Sequence, residues 1–257
     1  MFRPPALPEV QLQRVERDTK LAVGYVVYYG ITAVSAGAFE FKYRRQIHTQ
    51  DARVIKLKQP GELHRDLKVH APVTGWSLGL AATAIEEAAA ARGLVRFGLP
   101  EAVVPRSPRL GSLGERITRG ERDPLALQEA LATTIDALLG HADAPMRAAD
   151  ADDPPAARRA RALICDAWHQ PLSLIDLARA AGRDRFHTLR AFRRAYGMPP
   201  YRYLTHVRIA HARRLLAQGH APADVALAVG LYDQSQLHRH FVRIVGVPPG
   251  RYARALQ

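Results

Sequence analysis

The chain has 257 residues, 47% of them hydrophobic, 24% charged and 7% aromatic, a composition that excludes a disordered or collagen-like chain and gives length enough for two cores. Its one cysteine, Cys165, excludes an internal disulfide and a four-cysteine zinc site. Its net charge of +13 is uneven: residues 156–257 hold 17 arginines, no lysine and 5 aspartates (+12), which leaves +1 for residues 1–155.

The first twenty residues are proline-rich and charged, with no apolar signal core, and no later run reaches the ~18 apolar residues of a membrane span. A cytoplasmic chain with no membrane partner is expected. Residues 21–80 read mainly as strands. Gly24 to Tyr29 is β-branched and aromatic, and Phe39 to Tyr43 alternates apolar with charged. Val54–Lys58 is a further strand. Gln59-Pro60-Gly61-Glu62 has the proline and glycine of a tight turn. Val73–Leu80 is one more strand, starting after a break at Ala71-Pro72. Trp76, Phe39, Phe41 and Tyr43 are candidates for a pocket or, three times as readily, for plain core.

From Ala81 to Arg92 the pattern is helical, with Gly93 as its stop. Asp123-Pro124 is an N-cap followed by proline at the first helical position. Behind it Leu127, Leu131, Ile135 and Leu138 form a stripe that must be buried. Its expected partner is either this domain's own strands or a second copy of the chain. Residues 141–155 combine alanine, aspartate and proline without apolar periodicity, the mark of a linker.

The remainder reads as all-helical. Ala156–His169 is followed by a short helix ending at Gly182, a helix from Asp184 to Tyr196 stopped by Gly197, and a long helix from Pro200 to about Gln218. The plan then repeats, with helices at Pro222–Val229 and Gln234–Val245. Gly-x-Pro-Pro-x-x-Tyr follows each second helix, in YGMPPYRY and VGVPPGRY, at a spacing of about 50 residues. Two helix-turn-helix units joined by one long helix explain this order most simply.

Each second helix has a packing face and an outer face. In the first, Thr188, Ala191, Phe192 and Ala195 pack, while Phe186, Leu189, Arg190 and Arg193 point outward, with His187 and Arg194 at the margins. In the second, Leu237, Phe241 and Ile244 pack, while Gln234, Ser235, His238, Arg239 and Val242 face out. Glutamine amides and arginine guanidinium groups match adenine and guanine edges bidentately. A strongly basic surface around two such helices points to a polyanion, above all nucleic acid.

The segments LSLIDLARAAGRDRFHTLRAFRRAYGMPPYRYLTHVRIAHARRLLAQ and ADVALAVGLYDQSQLHRHFVRIVGVPPGRY resemble the DNA-binding domain of the AraC/XylS family of bacterial transcription regulators, over residues 171–254. The resemblance implies two recognition helices in successive major-groove segments of double-stranded promoter or operator DNA. By position it implies base contacts at Phe186, Leu189 and Arg190 and at Gln234, Ser235, His238 and Arg239. Arg185, Arg193, Arg194 and Arg243 then fall on the phosphates. Residues 31–64, ITAVSAGAFEFKYRRQIHTQDARVIKLKQPGELH, resemble more loosely the family's cupin-type regulatory barrel, which implies an unknown small-molecule effector and help with dimerisation; a regulator of this family implies RNA polymerase as a partner.

The expected fold is therefore α+β in two domains. A cupin-like β-barrel with helices occupies 1–140, a linker 141–155, and an all-α domain with two helix-turn-helix units 156–257. The expected function is sequence-specific regulation of transcription, as an activator in the nucleoid, with no cofactor and no enzymatic activity. Two other classes compete. A cupin-type metal enzyme would draw on His48, Glu62, His64 and His70, which lack a His-x-His pair. A DNA-repair methyl acceptor would need a reactive thiol, whereas Cys165 lies among Leu163, Ile164 and Trp168 and is expected to be buried.

Overall fold

The computed structural model describes residues 2, 4–43, 46–94, 98–142 and 154–254. The chain divides into two compact units, 1–149 and 150–257. Most of the expected linker, residues 143–153, lies outside the described residues.

The first unit is a seven-stranded antiparallel sheet with three helices. The elements are β1 (Val10–Asp18), β2 (Val23–Tyr25), β3 (Tyr29–Tyr43), β4 (Gln46–Gln50), β5 (Val54–Lys58), β6 (Leu63–Leu80), α1 (Ala82–Ala90), β7 (Val103–Pro105), α2 (Pro108–Arg119) and α3 (Pro124–Leu139). Strands run in the order β1-β6-β3-β5-β7, with β2 also on β6 and β4 also on β3. The sheet is rolled, which follows from register alone. Tyr25 pairs with Leu63, and Tyr29, four residues on, pairs with Leu80 at the far end of β6. Four residues and two strand spacings reach ~24 Å, whereas a straight β6 would separate those partners by ~56 Å. That crossing also explains why Val26–Tyr28 is not strand, although Gly24–Tyr29 reads as one: Val26 instead exchanges backbone hydrogen bonds with the 61–62 turn.

The bend in β6 falls where the sequence suggests a break. Strand β6 continues through Ala71-Pro72, and β3 accommodates the proline with a bulge opposite it, where the register jumps between Ala36 and Ala38. Gly37 sits in that bulge at φ +87°, and a Cβ there would lie 2.2 Å from the Pro72 carbonyl oxygen. Only glycine fits both the dihedral and the space.

One face of the sheet holds the main core. Leu12, Leu78, Ile31 and Leu57 are cross-strand neighbours in a single row, all fully buried. They join Leu110, Leu113 and Ile117 of α2 and Leu127, Leu131 and Leu138 of α3 in one cluster, each large aliphatic chain contributing ~1.5–3 kcal/mol. The stripe on α3 is therefore core, with Ile135 packed at its margin, and it is not a free self-association face. Helix α2, which the sequence reading passed over, is started by Ser107 and ended by Gly120 at φ +96°. Its two glycines admit the ring of Trp76, and a Cβ on Gly114 would stand 2.5 Å from that ring. Trp76 belongs to this core. Phe39, Phe41 and Tyr43 belong to a second cluster with Val34, Val73 and Ala102, so the four aromatics do not line one pocket.

The other face mixes polar groups with that second aromatic cluster. Thr32 and Ser77 share a hydroxyl hydrogen bond of 2.9 Å, and Gln50 donates to the Thr32 carbonyl at 2.6 Å. Lys56 lies 3.6 Å above the Phe41 ring centroid and 3.6 Å from Asp66 Oδ1. Burial, with Lys58 alongside, pulls its ammonium down to about 7 against the opposing pull of Asp66. His70 pairs with Glu40 at 2.9 Å, and His48 stacks on Phe41. Among the described residues, no three His, Cys, Asp or Glu side chains gather where a metal ion could be held.

Among the described residues the second unit is all-helical: α4 (Pro155–Asp166), α5 (Leu174–Ala181), α6 (Arg185–Tyr196), α7 (Pro200–Ala217), α8 (Pro222–Ala228), α9 (Gln234–Val245) and a short α10 (Pro249–Arg254), a helix that the sequence pattern does not indicate. No described helix is long and apolar enough to cross a membrane. Cys165, on α4, is half-buried rather than buried.

Candidate nucleic-acid interface

The two helix pairs of the second unit are built by the same local rules, 49 residues apart. Asp184 and Asp233 are N-caps, accepting from His187 N at 2.9 Å and from Gln236 N at 2.6 Å. Gly197 and Gly246 end α6 and α9 in the left-handed conformation, at φ +70° and +86°. Phe192 and Phe241, both fully buried, meet Tyr203 and Tyr252 edge-on at 5.4 and 5.3 Å. Behind each tyrosine stands an arginine, Arg161 on α4 donating to Tyr203 Oη at 3.0 Å and Arg213 on α7 to Tyr252 Oη at 3.3 Å. Helix α7 thus serves twice. Its first turns close the first pair as α10 closes the second, and its last turns back the second pair as α4 backs the first.

This repetition makes the unit's electrostatics one-sided. Three of the five aspartates in residues 156–257 are used at helix N-termini. Asp176 takes the Ser173 hydroxyl at 2.6 Å in a capping box, and that bond holds its carboxyl below the usual range. The backbone N–H of His187 does the same for Asp184. Arginines outnumber aspartates more than three to one in residues 156–257, and one of the ion pairs formed is Arg179 with Asp176, at 3.7 Å.

The outer faces carry the side chains that the sequence reading assigns to DNA. On α6, Arg185, Phe186, Arg190, Arg193 and Arg194 are exposed, whereas Leu189 is only half-exposed. On α9, Gln234, Ser235, His238, Arg239 and Arg243 are exposed. Arg243 also donates to Nδ1 of buried His240 at 2.8 Å. Burial first, then Arg243, Arg239 and Arg208, lower the His240 pKa, so the ring stays neutral and able to accept. His240 and this tether are not among the residues that the sequence pattern singles out, since nothing local marks the histidine as buried.

A second unforeseen residue lies at the seam between the two pairs. Arg208 of α7 is buried with no carboxylate partner among the described residues. Its guanidinium donates to the Trp168 and Gln170 carbonyls, both at 2.8 Å, in the turn between α4 and α5. Gly230, in the turn between α8 and α9, packs on the same place at φ +73°. A Cβ there would fall 2.4 Å from the His169 oxygen and 3.0 Å from Arg208 Nη2. The turns of both pairs thus meet on one arginine, whose satisfied fork offsets the cost of burying its charge.

Residues 177–255 match the family model described as a helix-turn-helix domain. Over 83 residues the chain is 37% identical to a putative AraC-like transcription regulator of Streptomyces lividans, covering 32% of this chain and 27% of that protein. This stretch is an AraC/XylS-type domain. A second relative of the domain is the HTH-type transcriptional activator AarP of Providencia stuartii, 32% identical over 82 residues, which cover 32% of this chain and 61% of AarP. The chain spans about a quarter of the length of the first curated relatives it matches. Its fold is similar to that of ToxT from Vibrio cholerae O395, with a TM-score of 0.59 at 11% identity over 97% of this chain and 98% of ToxT. The α+β architecture around the AraC/XylS-type domain is thereby that of a known two-domain fold.

Proposed function

We propose that this chain is a sequence-specific, DNA-binding transcription regulator that acts as an activator. The observation that carries this reading is the pair of capped helices, α6 and α9, repeated at 49 residues with exposed outer faces, within residues 156–257 that hold 17 arginines and 5 aspartates. Each helix enters a major-groove segment by its N-terminal turns. Phe186, Leu189 and Arg190 read the first segment, and Gln234, Ser235, His238 and Arg239 the second. Arg185, Arg193, Arg194 and Arg243 neutralise phosphates. The half-exposure of Leu189 makes it the narrowest contact of the set.

The division into a regulatory domain (1–140), a linker (141–155) and a DNA-binding domain (156–257) belongs to the same proposal. In it the rolled sheet is a cupin-like sensor of a small molecule, which shifts the population of DNA-competent molecules. The polar patch around Lys56, Gln50 and Thr32 supports that role, and a solved form of the similarly folded ToxT is described as bound to unsaturated fatty acid. RNA polymerase and a second copy of the chain are the further partners proposed, the second copy by a surface other than the α3 stripe.

The test is selection of sites from a random DNA pool by the full chain. Selection should yield an asymmetric site of two segments about one helical turn, ~10 bp, apart. Inserting five base pairs between them should release one helix. On that site Arg239→Ala should cost ~1–3 kcal/mol and relax one base position, whereas Arg243→Ala should weaken all sequences alike and lower the salt slope by about one. A footprint indifferent to the insertion would refute the two-helix reading.

A further inference from the structure

We propose that Tyr232 is a specificity-determining residue that reads the C5-methyl group of a thymine at the edge of the groove segment entered by α9. The inference rests on α9 being a recognition helix, and it adds a reader of a chemistry that the polar residues Gln234, Ser235, His238 and Arg239 do not supply.

Tyr232 is 88% exposed, the most exposed large hydrophobic side chain among the described residues. It follows Leu231, which is buried, and precedes the N-cap Asp233. The backbone here is held from both sides: Gln236 Oε1 accepts from Tyr232 N at 2.8 Å, and Asp233 Oδ1 accepts from Gln236 N at 2.6 Å. The ring is therefore presented from a fixed point at the N-terminal mouth of the helix, the end that meets base edges in such motifs. No stacking, cation–π contact or hydrogen bond engages it among the described residues. For an aromatic ring held in water at a groove-facing helix end, the largest apolar group on the major-groove base edges is the thymine methyl, the other edge groups being mainly donors and acceptors. The corresponding residue of the first pair, 49 residues earlier, is Arg183, which turns back onto the Gly182 carbonyl at 3.3 Å. There the exposed aromatic is instead Phe186, inside the helix and 70% exposed. The two segments should thus place their thymines at different positions relative to the arginine-read base.

The experiment measures affinity of the full chain for its selected site with each thymine singly replaced by uracil, which removes only the methyl group. One replacement in the α9 segment should weaken binding about four-fold, the value of one buried methyl-sized group (about 0.8 kcal/mol). In Tyr232→Ala that replacement should have no further effect, and in Tyr232→Phe the four-fold sensitivity should persist. Wild-type indifference to every uracil in that segment would overturn the proposal, as would a segment with no thymine. So would full sensitivity in Tyr232→Ala, or a Tyr232→Phe loss matching Tyr232→Ala with a shallower salt slope, which would mean a hydroxyl–phosphate bond. Unchanged DNA affinity with lost transcription in Tyr232→Ala would overturn it too and assign the ring to a protein partner. If instead no site is selected, or Arg239→Ala changes no base preference, it is the reading of α9 itself that fails.

Discussion

Gly111 and Gly114 lie one turn apart on α2, and replacing each with alanine separates helix propensity from packing. In the interior of a helix, alanine is favoured over glycine by ~0.5–1 kcal/mol. At Gly111 the nearest atom to a new Cβ is Glu115 Oε1 at 3.3 Å, the end of a flexible side chain, and Trp76 is 3.7 Å away. Gly111→Ala should therefore stabilise the unit by roughly the propensity term. At Gly114 three ring carbons of Trp76 stand 2.5–2.6 Å from the Cβ position, about 1 Å inside ordinary carbon contact. The ring cannot retreat freely, because Trp76 is buried in the row with Ala33 and Ile55. Overpacking of this kind costs ~1–3 kcal/mol. The propensity terms cancel between the two variants, so their stabilities should differ by that overpacking alone, or roughly 2–12 °C in midpoint at ~2–4 °C per kcal/mol for a unit of this size. The chain has one tryptophan in each unit, Trp76 and Trp168. In a Trp168→Phe background, thermal unfolding followed by fluorescence thus reports the first unit. Equal rises in midpoint for both variants would refute the packing of Trp76 against α2.

Leu131→Glu should unfold the first unit, since it places an unpaired carboxylate in the main core; loss of the Trp76 unfolding transition checks this, and a folded monomer would contradict it. Arg208→Met should leave the Trp168 and Gln170 carbonyls without their donor and cost ~2–4 kcal/mol of second-unit stability, read by urea unfolding, with Arg208→Lys recovering only part because an ammonium cannot fork. Lys56 gives a pH dependence of definite sign. The folded chain releases its proton near pH 7 and the unfolded chain near pH 10, so the unfolded state binds more protons between those values. Stability of the first unit should rise with pH across that window, by up to ~1.4 kcal/mol per unit, and be lost again as pH falls toward 7. Urea titrations at several pH values should show this rise in the wild type and a flatter profile in Lys56→Met.

The second unit was almost wholly legible in the sequence because its signals are local. Asp184 and Asp233 as caps, Gly182, Gly197 and Gly246 as stops, and proline openings each act within one turn of a helix. The first unit depended on non-local facts. Strand β1 carries a period-two signal in Val10 and Leu12, but it starts beside a proline-rich stretch. Helix α2 has Leu110, Leu113 and Ile117 at helical spacing, yet its two glycines disguise it, and their reason is a tryptophan some forty residues away. Pro72 looks like a strand end until Gly37 is found opposite it. In the candidate interface, outer residues follow from helical period, so Gln234, Ser235 and Arg239 could be read directly. Arg208 could not, since its partners are two carbonyls of another turn.

The double use of α7 also sets an order of assembly. The first helix pair is closed by Tyr203, from the start of α7, and by Arg161, from α4. The second pair needs Arg213 from α7 as well as Tyr252 at the far end. A chain emerging from the ribosome can therefore complete its first pair while the second is unmade, whereas the second cannot close without the helix that the first has already anchored. Assembly of this unit is therefore expected to pass along the chain from the first pair to the second, with α7 shared between them.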